Sequence, residues 1–136
     1  MLRNTFFFCL AALTAGSFFG CKKDRTAPEP SCYSGKVVAT TCMMGILIDV
    51  DPAYPIGARA ESMMGNRFFG NNVIAVANPT SLGTSSQVGQ VLYFTYKTAS
   101  APAGAACLAA DGPTTPVPIL ALSNVSTVSC DSIHLH

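Results

Sequence analysis

Charge is scarce in this chain: 11% of its 136 residues are charged, with 8 Lys and Arg against 7 Asp and Glu. So even a balance leaves no clustered basic surface on which to wrap a nucleic-acid backbone. Low charge combined with 49% hydrophobic residues also argues against disorder, because such a chain can fill a core. Histidine is almost missing, with only His134 and His136 at the C-terminal end. A Ser-His-Asp arrangement would therefore take its base from a tail, and no G-x-S-x-G is present, which speaks against acyl-transfer chemistry. The glycines Gly45, Gly57, Gly65 and Gly70 are scattered and form no phosphate-cradling loop ahead of a helix. After residue 32 no apolar pattern sustains a helical period, although Ala58 to Phe69 has room for one short helix or a loop. The expectation is one small, weakly charged, non-enzymatic domain that needs no cofactor.

The first residues are of another kind. Arg3 precedes an uncharged stretch, Thr5 to Phe19, rich in Phe and Leu. Its fifteen residues fall short of the ~20 of a spanning helix and match the ~7–15 of a secretory h-region. Charge returns at once as Lys22-Lys23-Asp24-Arg25. Phe18-Phe19-Gly20-Cys21 resembles the lipobox of bacterial lipoproteins, in which a Cys preceded by a small residue is lipidated and becomes the new N-terminus. The Cys-Lys-Lys-Asp start is similar to that of many lipoproteins of Bacteroidota-type bacteria. The resemblance implies a signal peptide over 1–20, an acylated Cys21, and attachment to the membrane through the lipid anchor, with the outer membrane of the bacterial envelope as address. The alternative is ordinary cleavage after Ala15-Gly16-Ser17, releasing a soluble protein. Residues 21–31, with Pro28 and Pro30 among charges, read as a disordered tether.

An exported address gives the cysteines a meaning. Cys32, Cys42, Cys107 and Cys130 are left for the domain of residues 32–136, spaced ten, sixty-five and twenty-three apart. An even number in an oxidising compartment favours two disulfides, and the spacings lack the close ligand pairs of a zinc site.

The domain reads as all-β. Lys36–Thr41 and Ile46–Val50 form strands around a Met43-Met44-Gly45 turn, and Pro52 and Pro55 end the second. Asn72–Ala77 makes a third strand before Asn78-Pro79, and Gln90–Lys97 a fourth. Ile119–Val128 makes a last one, bent at Ser123-Asn124. Five strands with a long insertion between the second and third resemble a small OB-like barrel; an Ig-like β-sandwich is the alternative. The OB-like order sets strand one antiparallel to strand four and strand four antiparallel to strand five. It thereby implies the bridges Cys42–Cys130 and Cys32–Cys107.

Few residues suggest chemistry. Asp49 and Asp51 share a strand face and offer a cation or sugar site, against the simpler reading of a solvated strand end. Asp111-Gly112-Pro113 reads as a turn. Phe68-Phe69, Tyr93, Phe94 and Tyr96 hold a possible ligand platform, although one face of the fourth strand must be core. The thioethers of Met43, Met44, Met63 and Met64, with His134 and His136, suit copper; the plainer reading is gap-filling Met and an unstructured tail. The leading expectation is an envelope binding or structural module contacting a protein or glycan, through its outer face or the Asp51–Asn72 insertion. A periplasmic copper-binding protein is the alternative.

Overall fold

The computed structural model describes residues 32–100 and 107–132. The expected signal peptide, Cys21, the tether, His134 and His136 lie outside these residues. Among the described residues no helix is long and apolar enough to cross a membrane.

The described chain is all-β, as expected. Its strands are β1 (Tyr33–Thr41), β2 (Gly45–Val50), β3 (Ala58–Glu61), β4 (Phe68–Val76), β5 (Val91–Thr98) and β6 (Ile119–Ser126). Two short 3-10 turns, Pro79–Ser85 and Cys130–Ser132, complete the elements. The pairings run β1–β2–β4–β6–β5 and return to β1, which makes a barrel-like ring. Two seams of that ring are short, with three register pairs between β2 and β4 and two between β4 and β6. β1 lies antiparallel to β5 and β5 antiparallel to β6, both as expected, while β4 and β6 are parallel.

The insertion between β2 and β4 differs from the expectation. Ala58 to Phe69 holds no helix; it forms β3, a turn and the start of β4, so the sheet has a sixth strand. β3 flanks β4 antiparallel, with two register irregularities in four residues.

Two apolar layers explain why residues 73–76 of β4 form an unbroken apolar run instead of an alternating one. Ile74 and Val76 point into the ring, where they meet Val37, Ile48, Leu92 and Phe94. Val73 and Ala75 point the other way, into a second layer with Leu47, Ala60, Phe69 and Val117. A strand buried on both faces has no solvent side on which to place polar residues. β5, by contrast, alternates: Leu92 and Phe94 are buried, Val91 is exposed, and Tyr93 and Thr95 are half-buried. Phe94 is therefore core, and Tyr33, Tyr54 and Tyr96 pack beside it as part of the same ring interior. Leu82, presented by the 3-10 turn that Pro79 opens, joins that interior.

Two asparagines tie the loops to this frame. Asn72 is buried; its Oδ1 accepts from the Gly57 amide at 2.6 Å, and its Nδ2 donates to the carbonyls of Val50, Asp51 and Tyr54. One side chain thus ties the 51–57 loop to the end of β2, its two amide hydrogens shared among three carbonyls. Asn78 accepts from the Leu122 amide at 2.7 Å and donates to the Leu122 carbonyl at 2.8 Å. Its amide imitates a peptide and prolongs the short β4–β6 seam.

The disulfides correct the expected pairing: they join Cys32 to Cys130 and Cys42 to Cys107, with Cα separations of 5.8 Å and 5.7 Å. The expectation followed from strand order alone, whereas a ring also requires stagger. Tyr93 of β5 faces Ser34 near the start of β1 on one side and Ser126 at the end of β6 on the other. The end of β6 therefore lies level with the start of β1, which brings Cys130 to Cys32.

Candidate functional site

The other end of β1 is where separate segments converge. The β1–β2 turn is built on Gly45, whose φ of 69° is the left-handed conformation glycine tolerates. The Thr41 hydroxyl accepts from the Met44 amide at 3.1 Å. That leaves the Cys42 and Met43 amides at the tip, and both donate to one side chain far along the sequence. Asp111 accepts from Cys42 through Oδ2 at 2.7 Å and from Met43 through Oδ1 at 3.2 Å. The Cys42 amide is the main reason the Asp111 carboxyl is held below its ordinary value; the Met43 amide adds to the effect and desolvation opposes it.

The β3–β4 turn arrives at the same place. Ser62 closes it by donating its amide to the Arg67 carbonyl at 2.8 Å, and Gly65 again has a left-handed φ of 67°. The 107–118 segment clamps this turn as it clamps the first: the Met63 amide donates to the Gly112 carbonyl at 3.0 Å and the Thr114 amide to the Glu61 carbonyl at 2.8 Å. Ser62 and Pro113 form an isolated antiparallel bridge. The Cys42–Cys107 disulfide fastens the segment covalently beside these contacts.

Between the two turns lies an open, almost wholly apolar cleft of about 300 Å³, walled by Met43, Met44, Met63, Pro113, Pro116 and Val117. Gly112 is buried in its floor, and a β-carbon there would stand 3.4 Å from Met43 Sδ and 3.7 Å from Met44 Cγ. Both Met side chains therefore lean over Gly112, while Met63 flanks it through the backbone and remains 46% exposed. Met64 lies elsewhere, in a neighbouring hollow with Thr40, Ser62, Arg67 and Asp111. The structure thus brings three of the four methionines of the sequence reading to one cleft and separates the fourth.

The other candidates are committed locally. Asp49 Oδ1 accepts from the Asn72 amide at 3.0 Å, and its carboxylate lies against Gly70, where a β-carbon would collide with it. Asp51 accepts from the Ala53 amide at 2.9 Å, an Asx turn. The two do not converge on a common site. Phe69 is buried beneath the Arg67 guanidinium, 5.6 Å from the ring centre, and half-exposed Phe68 carries that of Arg59 at 5.0 Å. Arg59 also pairs with Glu61. No group of three or more His, Cys, Asp or Glu able to hold a metal occurs among the described residues.

Asp111 and Gly112 are the residues that sequence reasoning passed over as a turn. The signal that would have found them is an isolated carboxylate in a nearly uncharged segment, followed by the smallest residue and a proline. No protein-family model matches the chain, and no curated protein matches it.

Proposed function

We propose that this chain is a lipid-anchored lipoprotein of the bacterial outer membrane, periplasmic or surface-exposed, that works as a non-enzymatic binding module. The observation that carries the reading is a ready-made apolar cleft, set between two turns and locked by a disulfide and by Asp111. Such preorganisation suits ligand capture, since little ordering remains to oppose binding. Commitment of Asp49 and Asp51 to backbone amides fits the same reading. The antiparallel β1–β5 and β5–β6 seams and the parallel β4–β6 seam support an OB-like over an Ig-like description of the ring.

Anchoring is tested by intact mass of the protein from membranes, with and without reduction. The expected result is a chain beginning at Cys21 and carrying acyl groups, with two hydrogens gained per bridge on reduction. A full-length, unacylated chain in the soluble fraction overturns the proposal. A second reading, binding of a soft metal, is favoured by one observation: three thioethers wall the same cleft.

A further inference from the structure

We infer that Met43, Met44 and Met63 form a binding site for a soft monovalent cation, Cu(I) in the cell, held by three thioether sulfurs over Gly112. The inference rests on the binding-module reading and names the ligand class of its cleft.

Three facts converge on it. The three side chains come from two turns that are distant in sequence and wall one cleft of about 300 Å³. The floor beneath them is Gly112, and any β-carbon there would press on Met43 at 3.3 Å from its Cβ and 3.4 Å from its Sδ. Glycine leaves the sulfur room to turn. Finally, the turn that carries Met43 and Met44 is held by the Cys42–Cys107 bridge and by Asp111 on the Cys42 and Met43 amides.

The chemistry selects the ion. Thioethers are soft, neutral donors that favour Cu(I) over hard divalent cations. All four cysteines of the domain are spent in disulfides, so the thioethers are the soft donors left to it. A wall without carboxylates lacks the anionic oxygens that Mg²⁺ and Ca²⁺ sites are built on, which disfavours both. A thioether also takes up no proton in the physiological range, so its metal does not compete with protons as a metal on imidazole must. Met63 at 46% exposure is poorly placed as core filler and well placed as the arm that closes on an ion.

The test uses the full mature chain in detergent micelles, with both bridges formed and methionine methyls labelled with carbon-13. Ag(I), a redox-inert stand-in for Cu(I), is titrated first, followed by Cu(I) against a chromophoric Cu(I) chelator. One ion per chain is expected, with methyl shifts confined to Met43, Met44 and Met63. Joint replacement of these three by Leu, which conserves volume, is expected to lower affinity at least tenfold while thermal melting stays close to that of the parent. M64L and the H134A/H136A pair are expected to leave affinity unchanged, and the affinity should be flat between about pH 5 and 8. Any of three results overturns the inference: no methyl shift at micromolar Ag(I), full affinity in the triple Leu variant, or loss in the His pair with an inflection near the imidazole pKa of ~6.5. Acylation of Cys21 is scored on the same preparations by mass. An acylated chain that binds no metal refutes this site alone, and an unacylated chain that binds metal refutes only the anchor.

Discussion

Asp111 does with one carboxylate what a turn residue normally does for its own neighbours: it satisfies the Cys42 and Met43 amides at the tip of a hairpin sixty-nine and sixty-eight positions away. The consequence for stability has a definite sign. Its carboxyl titrates below the ordinary value because the charged form is the better acceptor for those amides. A depressed folded-state pKa contributes stability that is fully present above the unfolded-state value and disappears as pH falls through the folded one. In Asp111→Asn the charge is gone and one of the two accepting oxygens becomes an amide NH2, which cannot accept from a backbone amide. The expected outcome is a variant less stable than the parent at pH 7, with the gap in urea midpoint narrowing from about pH 4 downward. A gap constant from pH 7 to pH 2 would mean that the charge plays no part. Asn72 is the other residue whose role no pattern disclosed. As the first residue of the expected third strand it reads as an ordinary strand-end polar residue, yet it is buried and ties down the 51–57 loop.

Elements were legible where alternation or a turn glycine between apolar runs marks them. β5 alternates and was found nearly to the residue, and β1 and β2 were found around their Gly45 turn. β3 was not, because the alternation of ARAE lasts only four residues, rests on alanine, a poor strand former, and pairs with β4 through two register irregularities. β4 was found short, starting at Asn72 where the structure starts it at Phe68, since Gly70 and two Asn interrupt its apolar run. The cleft was half legible: the methionine pairs stand out in sequence, but their meeting depends on the 107–118 segment, whose contacts are all non-local. Stagger is likewise invisible to periodicity, and it decided the disulfides. A peptide map of the unreduced protein should yield Cys32 joined to Cys130 and Cys42 to Cys107, and no Cys42–Cys130 peptide. The bridges close loops with sequence separations of 98 and 65. Removing either as a Ser pair should cost about 4–5 kcal/mol in the chain-entropy picture, which is a large share of a typical domain's stability. Equal urea midpoints for the parent and the Cys42→Ser, Cys107→Ser variant would show that Asp111 and the backbone clamps hold the cleft without the bridge.

At the scale of the molecule the two bridges mark opposite ends of one strand. β1 has nine residues between Cys32 and Cys42, so at ~3.3 Å per residue it separates them by roughly 30 Å. The proposed tether joins at Cys32, and the methionine cleft lies beside Cys42. An anchor on Cys21 would therefore hold the Cys32–Cys130 end nearer the bilayer and turn the cleft toward the aqueous space, where an ion or partner arrives. The ten residues 22–31 extend to at most ~35 Å, comparable with the domain itself, so the domain can lean but its near end stays near on average. The absence of Trp makes this measurable, because a single introduced indole has no background. Val128 lies two positions before Cys130 and is 75% exposed; Met64, in the turn beside the cleft, is 70% exposed. Energy transfer to a dansyl-labelled lipid headgroup should be clearly stronger from Val128→Trp than from Met64→Trp on vesicles carrying the acylated protein. Equal transfer from the two would place the cleft as near the membrane as the tethered end, and the ion would then have to be delivered at the bilayer surface.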